Sequence, residues 1–144
     1  MSITSSFGLL CVLMLFQSGF TERIRYTITI KTGDVRGAGT DAHVFIILHG
    51  TRGSTDKYIL PYMVGSFEQG SKDIFWGTEE NVGQIKSITI GHDNAGWKPG
   101  WFLESVHITQ HVTPSVEYQI NWNNWIATSE PDWTIVKTIS VTQL

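Results

Sequence analysis

The chain has 144 residues, of which 41% are hydrophobic, 12% aromatic and 16% charged, with a formal net charge of −3. That balance suits one globular domain with a packed core, and it excludes a disordered chain and a two-domain dinucleotide enzyme. Ten Lys and Arg against thirteen Asp and Glu leave no basic footprint for phosphate, which argues against nucleic acid as a partner.

Residues 7–16 read FGLLCVLMLF, an uncharged run. A membrane-spanning helix needs about 20 apolar residues, so this run is too short to span. Its length is that of the apolar region of a signal peptide. Gln17 to Thr21 follow, with cleavage expected after Gly19 or Thr21. The reading is a signal peptide over residues 1–21 and a secreted protein; a leader strand that stays attached is the alternative, since no Lys or Arg precedes the run. Cys11, the single cysteine, lies in this segment, so no disulfide within the chain and no cysteine-based zinc site can form.

Beyond residue 24 the pattern is strands and turns. Tyr26, Ile28 and Ile30 alternate with polar residues, the period of a half-buried strand. A Gly-rich turn over 33–40 precedes a second alternating segment, Ala42 to Leu48. Tyr58 to Leu60 is a short third strand closed by Pro61, and Asp73 to Trp76 a fourth. Ile85, Ile88 and Ile90 mark a fifth. Trp101, Leu103, Val106 and Ile108 mark a sixth, whose change of phase predicts a bulge. Val116 to Ile120 is a seventh, and Thr134 to Val141, rich in β-branched residues, an eighth. No segment carries a long helical period. Eight short strands separated by turns predict an antiparallel sandwich or barrel in one domain over 24–144.

Motifs of chemistry fail on context. Gly37-Ala-Gly-Thr-Asp-Ala42 fits the dinucleotide pattern G-x-G-x-x-A, but a strand follows where that motif needs a helix to hold the pyrophosphate. It reads as a tight turn. His107 and His111 lie about 13 Å apart on a strand, too far to share an ion. No nucleophile elbow is present, so no enzyme is expected.

Four blocks in order carry a family resemblance. They are Tyr26-Thr-Ile-Thr-Ile-Lys-Thr-Gly-Asp-Val-Arg-Gly-Ala-Gly-Thr-Asp-Ala-His-Val-Phe-Ile46, Ser66-Phe-Glu-Gln-Gly-Ser-Lys-Asp-Ile-Phe75, Gly83 through His92-Asp-Asn-Ala-Gly-Trp-Lys-Pro-Gly-Trp-Phe-Leu103 to Val106, and Tyr118-Gln-Ile-Asn-Trp-Asn-Asn-Trp-Ile-Ala127. Together they resemble the PLAT domain, the module of polycystin-1, lipoxygenases and alpha-toxin. The segment HDN-x-G brings the chain nearer to tandem-PLAT proteins and polycystins than to lipoxygenases. Gln69, Val82 and Trp122 depart from the residues usual in the family, and Trp133 stands where Gly is frequent.

The resemblance implies a sandwich of two four-stranded antiparallel sheets and a non-catalytic module that recognises lipid or membrane surfaces through its end loops, often with Ca²⁺. It implies calcium ligands at Gly39 and Asp41 in the first loop, Gly65 and Glu68 in the second, and Asp93 or Asn94 in the third. In the third loop, Lys98 stands near where toxin relatives place an acid. Asp on such turns also caps backbone N–H groups. The amphipathic indole favours a membrane interface, which makes Trp97, in a Gly/Pro loop, the first contact candidate, with Trp76, Trp122 and Trp133 as further ones. Trp101 and Trp125 match framework positions and are expected in the core. The alternative function is a protein-interaction module.

Overall fold

Each of the eight segments read as strand forms one, and the strands sort into two antiparallel sheets. The structure, a computed structural model, describes residues 22–129 and 134–144. The expected leader and Trp133 lie outside the described residues. The strands are β1 (Arg23–Thr32), β2 (Val44–Gly50), β3 (Gly53–Ser54), β4 (Tyr58–Ile59), β5 (Lys72–Glu80), β6 (Ile85–His92), β7 (Trp101–Gln110), β8 (Val116–Ile126), β9 (Val136–Ser140) and β10 (Thr142–Gln143). One sheet has the order β10-β8-β7-β1-β5; the other has β3-β2-β6-β9, with β4 also paired to β2. Among the described residues there is no helix.

The expectation of four strands per sheet becomes five, for two reasons. Gly53–Ser54 folds back on β2 as a two-residue strand, too short to leave an alternating signature. The predicted eighth strand is β9, which pairs with β6, and past Val141 the chain adds the two-residue β10, which pairs with β8. The chain changes sheets at Val141, whose N–H donates to the Lys86 carbonyl at 3.1 Å.

The core lies between the sheets because alternate residues of each strand point inward. Ile28 and Ile30 of β1 meet Val44, Ile46 and Leu48 of β2, Ile88 and Ile90 of β6, and Trp101, Leu103, Val106 and Ile108 of β7. Each such side chain contributes about 1.5–3 kcal/mol through burial. The bulge read from the phase change is present: the β7–β8 register shifts between Leu103 and Ser105. Facing it on β8, Asn123 takes φ 50°, a conformation Asn tolerates better than most residues. β8 keeps its inward parity across that point. Ile120 and Ile126 are buried, while Trp125, expected in the core, lies half-buried on the outer face with its ring edge-on to Phe102 at 5.4 Å.

Candidate functional site

Three loops meet at one end of the sandwich: residues 33–43 between β1 and β2, 60–71 between β4 and β5, and 93–100 between β6 and β7. The second loop is anchored by Phe67, which is 1% exposed. Its ring stacks on Phe75 at 5.6 Å and meets Trp101 edge-on at 5.7 Å. Its backbone has φ 58°, a strained choice for a bulky residue, held from three sides. Its N–H donates to Asp73 Oδ2 at 2.9 Å, its carbonyl accepts the Thr40 N–H at 3.0 Å, and the ring is locked in the core. Asp73 Oδ2 also accepts the Ser71 hydroxyl at 2.8 Å. The block from Phe67 to Phe75 is therefore an anchor, and it turns Glu68 outward.

The first loop lies on that anchor. A Cβ on Gly39 would stand 2.9 Å from the Phe67 carbonyl oxygen and 3.2 Å from the Gln69 nitrogen, so only glycine lets the two backbones approach. The third loop closes on the first. Gly96 has φ +84°, and a Cβ there would stand 2.7 Å from the Asp41 Cβ. Thr40 Oγ1 donates to the Pro99 carbonyl at 2.7 Å, the Asp41 N–H to the Lys98 carbonyl at 3.2 Å, and the Lys98 N–H to Asp41 Oδ2 at 3.3 Å.

His92, Asp93 and Asn94 build the third loop from within. His92 is buried; its Nδ1 accepts the Asn94 N–H at 3.0 Å, which leaves Nε2 to donate to the Ile126 carbonyl at 2.8 Å. Burial lowers its pKa from the ordinary 6.5, so the ring is neutral. Asp93 Oδ1 accepts the N–H groups of His43 at 3.0 Å and Ala95 at 3.1 Å, and Oδ2 accepts the His43 ring N–H at 2.6 Å. The His43 backbone bond, with the His43 ring and the Ala95 N–H, pulls the Asp93 carboxyl down to about 2.

What the loops enclose is an open depression of about 230 Å³ lined by Gly39, Asp41, Glu68, Gln69 and Lys98, among others. Of the six residues that the resemblance offered as metal ligands, the structure brings Gly39, Asp41 and Glu68 together. Gly65, Asp93 and Asn94 are not on this lining. Both Asp93 oxygens are already engaged, as its turn-capping role requires.

Calcium takes about six to eight oxygens. The depression offers two carboxylates and peptide carbonyls, and Lys98 sits on the same lining. Among the described residues no three His, Cys, Asp or Glu come together as a metal set. Asp41 and Glu68 are thus the two carboxylates that this depression offers a cation.

The rim is apolar. Trp97 projects from the third loop at 96% exposure. Beside Glu68 in the second loop, Tyr62, Met63 and Val64 are all exposed. The sequence reading missed these three; its signal was a consecutive apolar triplet between Pro61 and Gly65, in a loop with no alternation to bury it. The other tryptophans lie elsewhere. Trp76 is exposed in the middle of β5, under the guanidinium of Arg25 at 4.8 Å from the ring centroid. Trp122 is half-buried against the core, with Lys137 at 5.8 Å from its ring.

Comparison with known proteins places this geometry. The model of the PLAT/LH2 domain matches residues 26–139. Lipoxygenase homology domain-containing protein 1 of Homo sapiens is 44% identical over 108 residues, 74% of this chain and 5% of that protein. Human polycystin-1 is 34% identical over 112 residues, 76% of this chain and 2% of that protein. The chain thus spans a small fraction of these relatives. The crystal structure of coral 8R-lipoxygenase, described as activated by calcium through a C2-like domain, superposes with a TM-score of 0.71 at 28% identity, over 81% of this chain and 17% of that one. A calcium-dependent 11R-lipoxygenase gives 0.65 at 31% identity, over 82% of this chain and 17% of that one. This chain belongs to the PLAT/LH2 domain family.

Proposed function

We propose that the chain is a non-catalytic recognition module that docks on a lipid surface with its three-loop end. The observation that carries the reading is the rim: Trp97, Tyr62, Met63 and Val64 stand exposed on loops whose bases are fixed by Phe67, Gly39 and Gly96. Apolar groups held bare by a rigid base are the pattern of an interaction site. Indole and phenol suit the interfacial layer, where one end of the ring is apolar and the other wet. Carboxylates and Lys98 behind the rim meet the polar headgroups. The non-catalytic reading draws support from the described histidines. His49 bridges Ser54 and Thr89 with no carboxylate among its hydrogen-bond partners, and the His43–Asp93 pair caps backbone. Secretion, expected from residues 7–16, belongs to this proposal as well. A second reading, recognition of a protein, draws on a different surface, the β5 flank described below.

Vesicle co-sedimentation tests the reading. Phosphatidylcholine vesicles, with and without phosphatidylserine, are spun with the chain in calcium and in chelator. The expected result is pelleting in both, lost on Met63→Asp. Pelleting in neither sinks the lipid reading. Pelleting only with calcium would put the metal at the site, with lipid oxygens completing its shell.

A further inference from the structure

Among the described residues, the long free edge of the sandwich is β5. Its pairing with β1 runs from Arg23–Glu80 to Lys31–Lys72 with no register shift. Flanking bonds fix which groups face β1: Asn81 N–H donates to the Glu22 carbonyl, and Thr32 N–H to the Ser71 carbonyl. In an antiparallel ladder hydrogen-bonded pairs alternate with non-bonded ones. Residues 73, 75, 77 and 79 therefore direct their peptide groups to β1, and 72, 74, 76, 78 and 80 direct theirs to the open edge.

Natural edges are blunted by bulges, shortness, covering elements or charged side chains on the strand, and of these β5 carries the last, Lys72 and Glu80 outward and Asp73 and Glu79 inward. This one is nine residues long and unbulged. Its outward side chains include Ile74 at 62% and Trp76 at 63% exposure. Arg25 lies over the indole and fixes it. Lys72 and Glu80 stand at opposite ends of the strand, and among the described residues neither is in an ion pair. Lys72 also faces Lys31 directly across the ladder, and Glu104, at 2.9 Å, is engaged by Lys31.

We infer that this edge is a self-association surface, on which a second copy of the chain adds its own β5 antiparallel about a two-fold axis at Trp76. The occupant follows from charge and parity. An isologous pairing centred on Trp76 sets Lys72 opposite Glu80 of the second copy, twice, and Ile74 opposite Thr78. Open-edge peptide groups then meet open-edge peptide groups, and the outer faces of two sheets become one. The two indoles meet at the axis as a cross-strand aromatic pair. The inward residues Asp73 and Glu79 also come opposite each other. Asp73 is engaged by the Phe67 N–H and the Ser71 hydroxyl, and Glu79 lies 4.0 Å from Arg23. Arg23 also bonds the Thr78 carbonyl at 2.8 Å in an exposed contact, which it gives up to the new strand while it stays on Glu79.

The test is sedimentation equilibrium of the full chain over a dilution series, with four forms compared. The unaltered chain dimerises reversibly. Lys72→Glu and Glu80→Lys each set like charges opposite at the interface and weaken the dimer at least about tenfold. The double exchange Lys72→Glu/Glu80→Lys restores opposite pairs and recovers the dimer. Both side chains are exposed, so the melting temperature, taken at a dilution where the chain is monomeric, is unchanged in all four and serves as the control for folding. A chain that is monomeric at every concentration overturns the inference. So does a dimer indifferent to the single exchanges, or a double exchange that fails to rescue.

Discussion

The two ends of the sandwich handle their polar and apolar groups in opposite ways. At the end away from the three loops, Tyr118 OH donates to Gln110 Oε1 at 3.0 Å and accepts the Ile85 N–H at 3.1 Å. Gln110 Nε2 donates to the Gly83 carbonyl at 2.8 Å, and Tyr26 OH links the Glu80 carbonyl to the Val82 N–H. Buried polar atoms there are matched to one another, and large apolar groups are inside. At the loop end the most heavily bonded residues, Asp73, Asp93 and Thr40, all bond backbone. Their effect is to hold Trp97, Met63 and Val64 in water. One end is closed by its hydrogen bonds, and the other is held open by them.

Phe67→Ala breaks that contrast most severely. It removes the anchor shared by the core and the second loop, and a buried Phe→Ala change costs about 3–5 kcal/mol. The urea midpoint falls by a corresponding amount at unchanged slope, and vesicle binding disappears with the loop's shape. Tyr118→Phe probes the closed end. It strips the Gln110 carbonyl oxygen and the Ile85 N–H of a partner, at about 1–3 kcal/mol. Vesicle binding by the folded variant is unchanged. Trp97→Ala gives the converse. As an exposed substitution it shifts stability by no more than about 0.5 kcal/mol. Burying a side chain of that size in lipid is worth about 1.5–3 kcal/mol, so vesicle affinity drops about tenfold or more. The opposition between Tyr118→Phe and Trp97→Ala is the sharpest form of the comparison: stability without binding at one end, binding without stability at the other.

Much of this was legible in the chain. Strands that alternate strictly, such as Tyr26–Lys31, were read directly, because one face must be buried and the other wet. The bulge in β7 was read from a single skipped phase. The place of Trp125 was not: the even-numbered residues of β8 face inward through Ile126, so Trp125 faces out although its motif position pointed to the core. Strand β10 was hidden too, since Thr142–Gln143 is too short to alternate and only its pairing with β8 makes it a strand. At the site, Asp41 and Glu68 were offered by the family resemblance, and the structure sets both on one lining. For Asp93 a sequence shows the carboxylate and not the N–H groups of His43 and Ala95 that it accepts. Tyr62–Val64 escaped because a periodicity search rewards alternation, and an exposed triplet has none.

The smallest effect is one of pH, and it also separates the two ends. His92 is neutral in the fold, with its pKa lowered by burial from 6.5. A histidine whose folded value lies below its unfolded value binds fewer protons when folded, so stability is full above the unfolded value and declines as pH falls beneath it. Protonation places a second hydrogen on Nδ1, facing the Asn94 N–H that this nitrogen accepts. The third loop therefore loosens first. Asp93 adds a later step: its carboxyl, held at about 2 against an ordinary 3.8, contributes stability above 3.8 that is lost as pH falls toward 2. Both groups sit at the loop end. Amide hydrogen exchange on moving from pH 7 to pH 5, corrected for intrinsic rates, should rise at Asn94 and Ala95 while Ile85 and Val82 stay protected. His92→Gln, which keeps a donor and an acceptor but cannot titrate near neutrality, should remove the rise. A uniform rise at both ends would mean that the acid acts on the whole sandwich, and that the open end has no weak point of its own.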